Sequence, residues 1–185
     1  MSYGFKMSEA AIAQSIQESK LIIPRDKLGD FVGLLQLLGL WAICALTLRN
    51  SNSDWSIRVI PAFVVTGLLF IYGIYCLSKE RDLTRLKTNL TAAENRKLLV
   101  SAYRILGWHI VQNEKSLVKA SLPRKWYGFV SQNATALIQD EVISLNVIHE
   151  AEARGRSPFA YGMNDKKLSA LISTINNLLI KEERE

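Results

Sequence analysis

The sequence predicts a membrane protein with two transmembrane α-helices followed by a cytoplasmic α+β domain of one helix, four to five antiparallel strands and a second helix. The first observation is a pair of uncharged apolar runs, residues 31–48 and 59–77, which have 18 and 19 residues. At about 1.5 Å per residue each helix would be about 27–29 Å long, close to the hydrocarbon core of a bilayer. The second observation is that the 108 residues that follow carry the charge and the mixed periodicity of a folded domain.

The distribution of Lys and Arg is the third observation, and it predicts the orientation. Basic residues flank the two apolar runs on their outer sides, whereas residues 49–58 between the runs contain only Arg49 and Arg58. The positive-inside rule therefore places both termini in the cytoplasm. Eight charges precede the first run and no small-residue cleavage site follows it, so we expect a retained anchor rather than a signal peptide.

The composition divides the chain into four parts: a cytoplasmic amino-terminal segment (1–30), a transmembrane hairpin (31–77), a charged linker (78–90) and the α+β domain (91–185). Residues Ser8–Lys20 are predicted to form a short helix with a narrow apolar face. Such a helix either lies against the membrane or a partner, or belongs to a frayed tail. The linker is predicted to continue the second transmembrane helix.

Local signals place the elements of the domain. Thr91 and Glu94 form a capping box that begins a helix, and Gly107 ends it. Residues Asp140-Glu141 fit a tight hairpin, and Asn164 is a candidate N-cap for an amphipathic helix over residues 165–181. Five short runs are rich in β-forming residues: residues 108–113, 116–121, 126–132, 135–139 and 142–148.

Polar and small residues within the apolar runs indicate helix contacts. Gly67 and Gly73 are six residues apart, so one is expected to face the first span and the other a neighbouring copy. Gln36 is the only amide in either run, and it is expected at a helix contact or a watery lumen. Two spans cannot enclose a pore, so a channel would need a homo-oligomer, for which we expect a tetramer or larger.

Signals for catalysis are poor, and we expect no enzyme, catalytic residue, cofactor or metal site. Two cysteines and two histidines at scattered positions give neither a disulfide framework nor a set of metal ligands. Arg104 and His109 match the sparse pattern of HEPN ribonucleases, but that pattern needs an all-helical domain. His149 and Glu150, together with Glu152, could serve acid/base chemistry, although the flanking loop is charged and expected to be solvated.

Binding signals are better. They consist of basic residues interleaved with aromatics in two segments, a pattern that suits phosphates and bases or anionic lipids. The helix that follows the second segment adds an N-terminus, which favours an anion. The candidate ligand-binding residues are Arg124, Lys125 and Trp126 in the first segment, and Arg154, Arg156, Tyr161, Asn164, Lys166 and Lys167 in the second. Each could equally be a solvated residue that reflects proximity to an anionic membrane.

The stretches Leu106-Gly107-Trp108 and residues 157–167, together with the two-span layout, resemble a group of small bacterial membrane proteins. One type within that group is the membrane effector of type III CRISPR defence, which binds cyclic tetra-adenylate. The resemblance covers residues 31–167 at the level of architecture. It implies a multi-pass protein of the bacterial inner membrane, whose cytoplasmic domain senses a cyclic oligonucleotide and whose oligomeric spans disturb the membrane.

Three hypotheses follow. The leading one is a ligand-gated membrane effector in antiviral defence that binds a cyclic oligoadenylate and permeabilises the membrane. Its other expected partners are membrane lipid and further copies of the same chain, and no binding of DNA is expected. The second is a membrane-anchored adaptor or structural protein that binds a protein partner or anionic lipid. The third is a membrane-tethered ribonuclease that depends on Arg104 and His109.

Overall fold

A computed structural model describes residues 7–22, 27–50, 53–123, 132–149 and 161–182. The described chain forms two compact units, one made by residues 7–22, 80–149 and 162–182 and the other by a helical hairpin. The helices are α1 (Glu9–Glu18), α2 (Lys27–Asn50), α3 (Ser53–Lys79), α4 (Ala92–Ile105) and α5 (Tyr161–Glu182). The strands are β1 (Thr84–Lys87), β2 (His109–Asn113), β3 (Leu117–Ser121), β4 (Gln132–Ile138) and β5 (Val142–His149).

The strands form one antiparallel sheet in the order β1-β5-β4-β3-β2. The predicted hairpin lies between β4 and β5, where Gln139 N donates to Val142 O at 3.0 Å and Glu141 adopts a left-handed φ of 65°. The α+β class is therefore confirmed, but the order differs from the prediction, because strand β1 precedes α4 and the other four strands lie between α4 and α5. The predicted strand over residues 126–132 falls outside the described residues except for Gln132, which begins β4.

The prediction that residues 78–90 continue the second apolar helix is wrong. Helix α3 ends at Lys79, and β1 pairs with β5 so that Leu86 lies opposite Ile143 and packs against the core. Four residues are too few for a periodic signal, and the pairing partner lies more than fifty residues away in the sequence. Strand β4 also starts three residues earlier than predicted, because pairing with β3 and β5 on both sides outweighs the weak β-propensity of Asn133 and Ala134.

Helix α4 begins and ends as the sequence predicts. Thr91 Oγ1 accepts a hydrogen bond from Glu94 N at 3.4 Å, and Glu94 Oε2 accepts one from Thr91 N at 2.9 Å. The Thr91 hydroxyl and the Thr91 backbone amide both donate to the Glu94 carboxylate, and they hold its pKa below its usual value. At the other end Gly107 has a φ of 67°, a conformation that glycine adopts without strain.

Helices α4 and α5 cover one face of the sheet and bury the main apolar core. Its buried residues are Leu98, Leu99, Ala102, Tyr103, Trp108, Val118, Ala120, Leu122, Ala134, Ala136, Ile138, Ile143, Leu145, Val147, Leu171 and Ile175. Helix α1 packs with a second cluster on the opposite face, composed of Met7, Ile12, Leu21, Leu83, Leu117 and Leu137. The amino-terminal helix is thus packed onto its own domain, and the alternative of a frayed tail is wrong.

A buried amide joins α4 to the β4–β5 hairpin. Asn95 donates from Nδ2 to Leu90 O at 3.2 Å and to Gln139 O at 2.9 Å, and its Oδ1 accepts from Thr88 Oγ1 at 2.6 Å. Asp140 Oδ1 accepts from the first backbone amide of α4 at 2.7 Å. The helix start and the hairpin are therefore fixed to each other by polar groups that leave none of the Asn95 hydrogen-bonding atoms unused.

Helices α2 and α3 pack against each other as a hairpin. The Trp41 indole lies over Gly67, where an added Cβ would be 3.2 Å from Nε1, and stacks on Phe63 with ring centroids 5.0 Å apart. Gly67 therefore faces its own chain, as predicted for one of the two glycines, but Gly73 is buried as well. In the part of the chain with described side chains, residues 59–79 are long and apolar enough to cross a membrane, and Leu34–Arg49 is a shorter apolar helix.

Candidate ligand site at one end of the sheet

The two segments that carry the predicted ligand-binding residues are attached to the same end of the sheet. One connects β3 to β4, and the other connects β5 to α5. The register pairs Gln132, the first residue of β4, with His149, the last residue of β5, and pairs Asn133 with Ser121 at the end of β3. The ends of both connections therefore lie beside the start of α5, although the two connections are far apart in the sequence.

Most of the predicted residues fall in these connections and lie outside the described residues. This is the case for Arg124, Lys125, Trp126, Arg154 and Arg156. The described residues that flank both connections lie at this end of the sheet.

The other predicted residues belong to the first two turns of α5. Tyr161 is the first residue of this helix, so the helix starts earlier than predicted and Asn164 is not its N-cap. Asn164 instead lies inside the first turn and is 3% exposed. Its tertiary partner, Gln132, comes from a strand that the sequence pattern only partly located, which is why the capping interpretation failed.

The Asn164 amide is only half satisfied. Its Oδ1 accepts a hydrogen bond from Gln132 Nε2 at 2.9 Å, whereas its Nδ2 is fully buried and has no hydrogen-bond partner in the described part of the chain. A buried donor without an acceptor costs about 1–3 kcal/mol. An unsatisfied donor in the first turn of a helix, where backbone amides also point outward, is an arrangement that an anionic acceptor would complete.

The two lysines of this helix differ in placement. Lys166 is exposed and is rotated by about 200° from Asn164 around the helix axis, from 100° per residue. Lys167 is half-buried and lies about 60° from Asn164. Only Lys167 therefore borders the face on which Asn164 lies.

Gln132 and His149 are parts of this site that the sequence argument did not select. They are directly paired across β4 and β5, and they share the face of the sheet that carries the main core. His149 is 3% exposed at the end of β5, whereas the charged loop that follows it, which was expected to be solvated, lies outside the described residues. The alternation of Ile143, Leu145 and Val147, continued by two residues, would have placed His149 on the buried face.

Arg104 and His109, the two residues of the ribonuclease pattern, lie in an α+β domain. Arg104 lies in the last turn of α4 and His109 is the first residue of β2, and both side chains are exposed. The domain around them contains a five-stranded sheet, whereas the pattern needs an all-helical domain. Glu150, the second candidate for acid/base chemistry beside His149, lies outside the described residues.

A clamp of backbone hydrogen bonds lies on the opposite face of the sheet. We use the name clamp for residues 19–22 and 80–83 together with Asn146. Leu21 N donates to Arg81 O at 2.8 Å, and Leu83 N donates to Ser19 O at 2.9 Å. The buried Asn146 Nδ2 donates to the carbonyls of Glu80 and Asp82 at 2.9 and 3.0 Å.

The two segments of the clamp flank the helical hairpin in the sequence. Residue 22 precedes α2 by five residues, and residue 80 follows α3 directly. Asn146 belongs to β5, the strand that ends at His149. Strand β5 thus holds the chain that leaves the helical hairpin, and that chain pairs in turn with the chain leading into it. The same strand leads to the candidate ligand site.

No protein-family model matches this chain, and no curated protein is similar to it.

Proposed function

We propose that this protein is a ligand-gated membrane effector. In this proposal α2 and α3 cross the bacterial inner membrane, and the α+β domain lies in the cytoplasm and binds an anionic nucleotide at the end of the sheet described above. The resemblance noted in the sequence indicates a cyclic oligoadenylate, specifically cyclic tetra-adenylate. Binding would switch an oligomer of the hairpin into a state that permeabilises the membrane.

The outward surface of the hairpin supports the membrane half of the proposal. Large apolar side chains that point away from the α2–α3 contact are exposed along both helices, for example Leu35, Ile43, Leu68 and Ile71. Between Leu34 and Leu48, and again between Val59 and Leu77, no residue is charged. A helix that is apolar on all sides needs an apolar surrounding, which a bilayer supplies.

The observation that carries the ligand half is the unsatisfied Nδ2 of Asn164 at the end of the sheet to which both basic segments attach. Residues 78–185 contain 17 basic and 12 acidic residues, a net charge of +5 that favours an anionic partner. The basic segments also contain Trp126, Phe159 and Tyr161, and aromatic rings of this kind can stack on bases. A nucleotide has both the phosphate and the base that these residue types recognise.

The clamp supports coupling between the two halves. A change in β5 on ligand binding would reach the chain after α3 through the two carbonyls that Asn146 holds. It would reach the chain before α2 through the backbone hydrogen bonds that join Leu21 to Arg81 and Ser19 to Leu83. The path is short, because Asn146 and His149 are separated by three residues of one strand.

The proposal is tested with purified full-length protein in detergent, titrated with cyclic tetra-adenylate and, as the comparison ligand, linear tetra-adenylate. Lys167→Ala should weaken binding roughly 10- to 150-fold, the equivalent of one charge-assisted hydrogen bond of about 1.5–3 kcal/mol. Lys166→Ala is the matched control, because its side chain lies on another side of the same helix turn and should change binding little. Absence of binding, or an equal loss in both variants, would reject this site.

A second arm uses the same protein in dye-loaded vesicles. Cyclic tetra-adenylate should release the dye from wild-type vesicles, whereas Asn146→Leu should bind ligand and release little. If the wild type binds ligand without releasing dye, the adaptor hypothesis replaces the effector hypothesis.

A further inference from the structure

The outer face of α2 carries a polar group that its own hairpin cannot satisfy. The side of α2 that contacts α3 is marked by Leu34, Leu37, Trp41 and Leu48, all buried or half-buried. Gln36 is exposed, and at 100° per residue it lies within about 50° of the direction opposite to that side. It makes no hydrogen bond with any residue that the structure describes.

Two further residues share this outer face with Gln36. Gly39 lies one turn away, and an added Cβ there would meet nothing within 4 Å. Ile43 lies two turns away and is 62% exposed. The face therefore combines one amide, one position at which another backbone can approach closely, and apolar surface around them.

Two threonines of the hairpin, unlike Gln36, are satisfied within their own helices. Thr47 Oγ1 donates to Ile43 O at 2.8 Å, and Thr66 Oγ1 donates to Ala62 O at 2.8 Å. Gln36 cannot reach water by extending along the helix either. It is five residues from the start of the uncharged run 31–48 and twelve from its end, which corresponds to about 8 and 18 Å. In hydrocarbon its amide needs a partner from outside the chain.

We infer that the partner is a second copy of this chain, joined through the face formed by Gln36, Gly39 and Ile43. A carboxamide has both a donor and an acceptor, so two Gln36 side chains can satisfy each other across a twofold axis. The uncharged surroundings fit an identical helix, and Gly39 allows the two backbones to approach. The inference rests on the proposed membrane insertion, and it moves the contact between copies away from Gly67 and Gly73, which lie on the covered side of α3.

Disulfide cross-linking in native membranes tests the inference. In full-length protein with Cys44→Ala and Cys76→Ala, Ile43→Cys should form a cross-linked dimer when a mild oxidant is added. Ile71→Cys is the matched control, since this residue is 65% exposed on the other helix and should give little dimer. Adding Gln36→Leu to Ile43→Cys should weaken association roughly 3- to 30-fold, the range of one interhelical hydrogen bond, whereas Gln36→Asn should retain part of it.

Equal cross-linking at positions 43 and 71, or no effect of Gln36→Leu, would overturn the inference. Carbonate extraction of the same membranes separates this failure from failure of the proposed function. A protein that is released into the supernatant is not inserted, and then the membrane proposal falls. A protein that stays in the pellet without specific cross-linking refutes only the contact through Gln36.

Discussion

The α+β domain buries its large apolar side chains, whereas the helical hairpin leaves most of its own exposed. In the domain, α4, α5 and the inner face of the sheet turn their apolar side chains towards one another, and residues such as Leu99 and Leu145 are fully buried. In the hairpin, only one side of each helix is covered. Of the 17 large hydrophobic residues exposed in the described part of the chain, 14 belong to α2 and α3. The domain carries its own apolar interior, whereas the hairpin leaves most of its large apolar side chains uncovered by the described part of the chain.

The two units also differ in where their polar side chains find hydrogen-bond partners. Asn95 is buried in the domain and is satisfied by three partners from other elements, because tertiary structure brings carbonyls and a hydroxyl to it. In the hairpin Thr47 and Thr66 use carbonyls of their own helices, and Gln36 makes no hydrogen bond with any of the residues whose structure is described. The domain can bury polar groups wherever its fold supplies hydrogen-bond partners, but a two-helix unit offers few such partners.

The largest effect that tests this contrast is expected from leucine truncation. Leu145→Ala removes a fully buried side chain from the core of the sheet, so it should lower the free energy of unfolding by about 2–5 kcal/mol. Leu68→Ala, at a position 62% exposed on α3, should lower it by less than about 0.5 kcal/mol. Unfolding of the full-length protein in detergent, followed by the near-UV circular dichroism of the stacked Tyr103 and Trp108, measures both. Comparable losses would mean that protein covers Leu68.

An intermediate effect is expected from asparagine substitution within the domain. Asn95→Ala should cost about 1–3 kcal/mol, because it leaves the buried carbonyls of Leu90 and Gln139 without their donor. Asn113→Ala is the matched control. Its exposed side chain accepts one hydrogen bond, from Arg96 Nε at 2.7 Å, and its loss should cost under about 0.5 kcal/mol. The same unfolding assay applies, and equal losses would show that the buried network contributes nothing beyond a surface contact.

The smallest effect is expected from pH. Hydrogen bonds from Thr91 lower the pKa of Glu94, so the folded state favours the ionised carboxylate. The resulting stabilisation is present above the unfolded-state pKa of about 4.3 and is lost as the pH falls through the lower folded-state value. Stability measured between pH 3 and 7 should therefore fall slightly less steeply in Glu94→Gln and in Thr91→Ala than in the wild type. A slope unchanged in both variants would show that the capping box does not contribute to the acid sensitivity.

Local patterns were enough to locate much of the domain. The capping box at Thr91 and the left-handed Gly107 bound α4, because both signals depend on residues within one helix turn of each other. The turn at Asp140-Glu141 and the alternation in β5 are local in the same sense. Strand β1 could not be found in this way, since it is defined only by its pairing with β5.

The candidate site shows the same limit. The basic and aromatic residues could be selected by type, but their two segments are brought to one end of the sheet only by the antiparallel register of β3, β4 and β5. Gln132 and the role of Asn164 depend on a side-chain hydrogen bond across 32 residues. No spacing in the sequence indicates that contact.

The sequence by itself determined the two apolar helices, the α+β class and the basic character of the region after the hairpin, because hydropathy, periodicity and charge are sums over neighbouring residues. Only the tertiary structure decided which side of α2 faces α3, which leaves Gln36 pointing outward. It also decided that α1 and Asn146 join the chain on either side of the hairpin to the sheet. These features depend on contacts between distant segments, and such contacts exist only once the chain has folded.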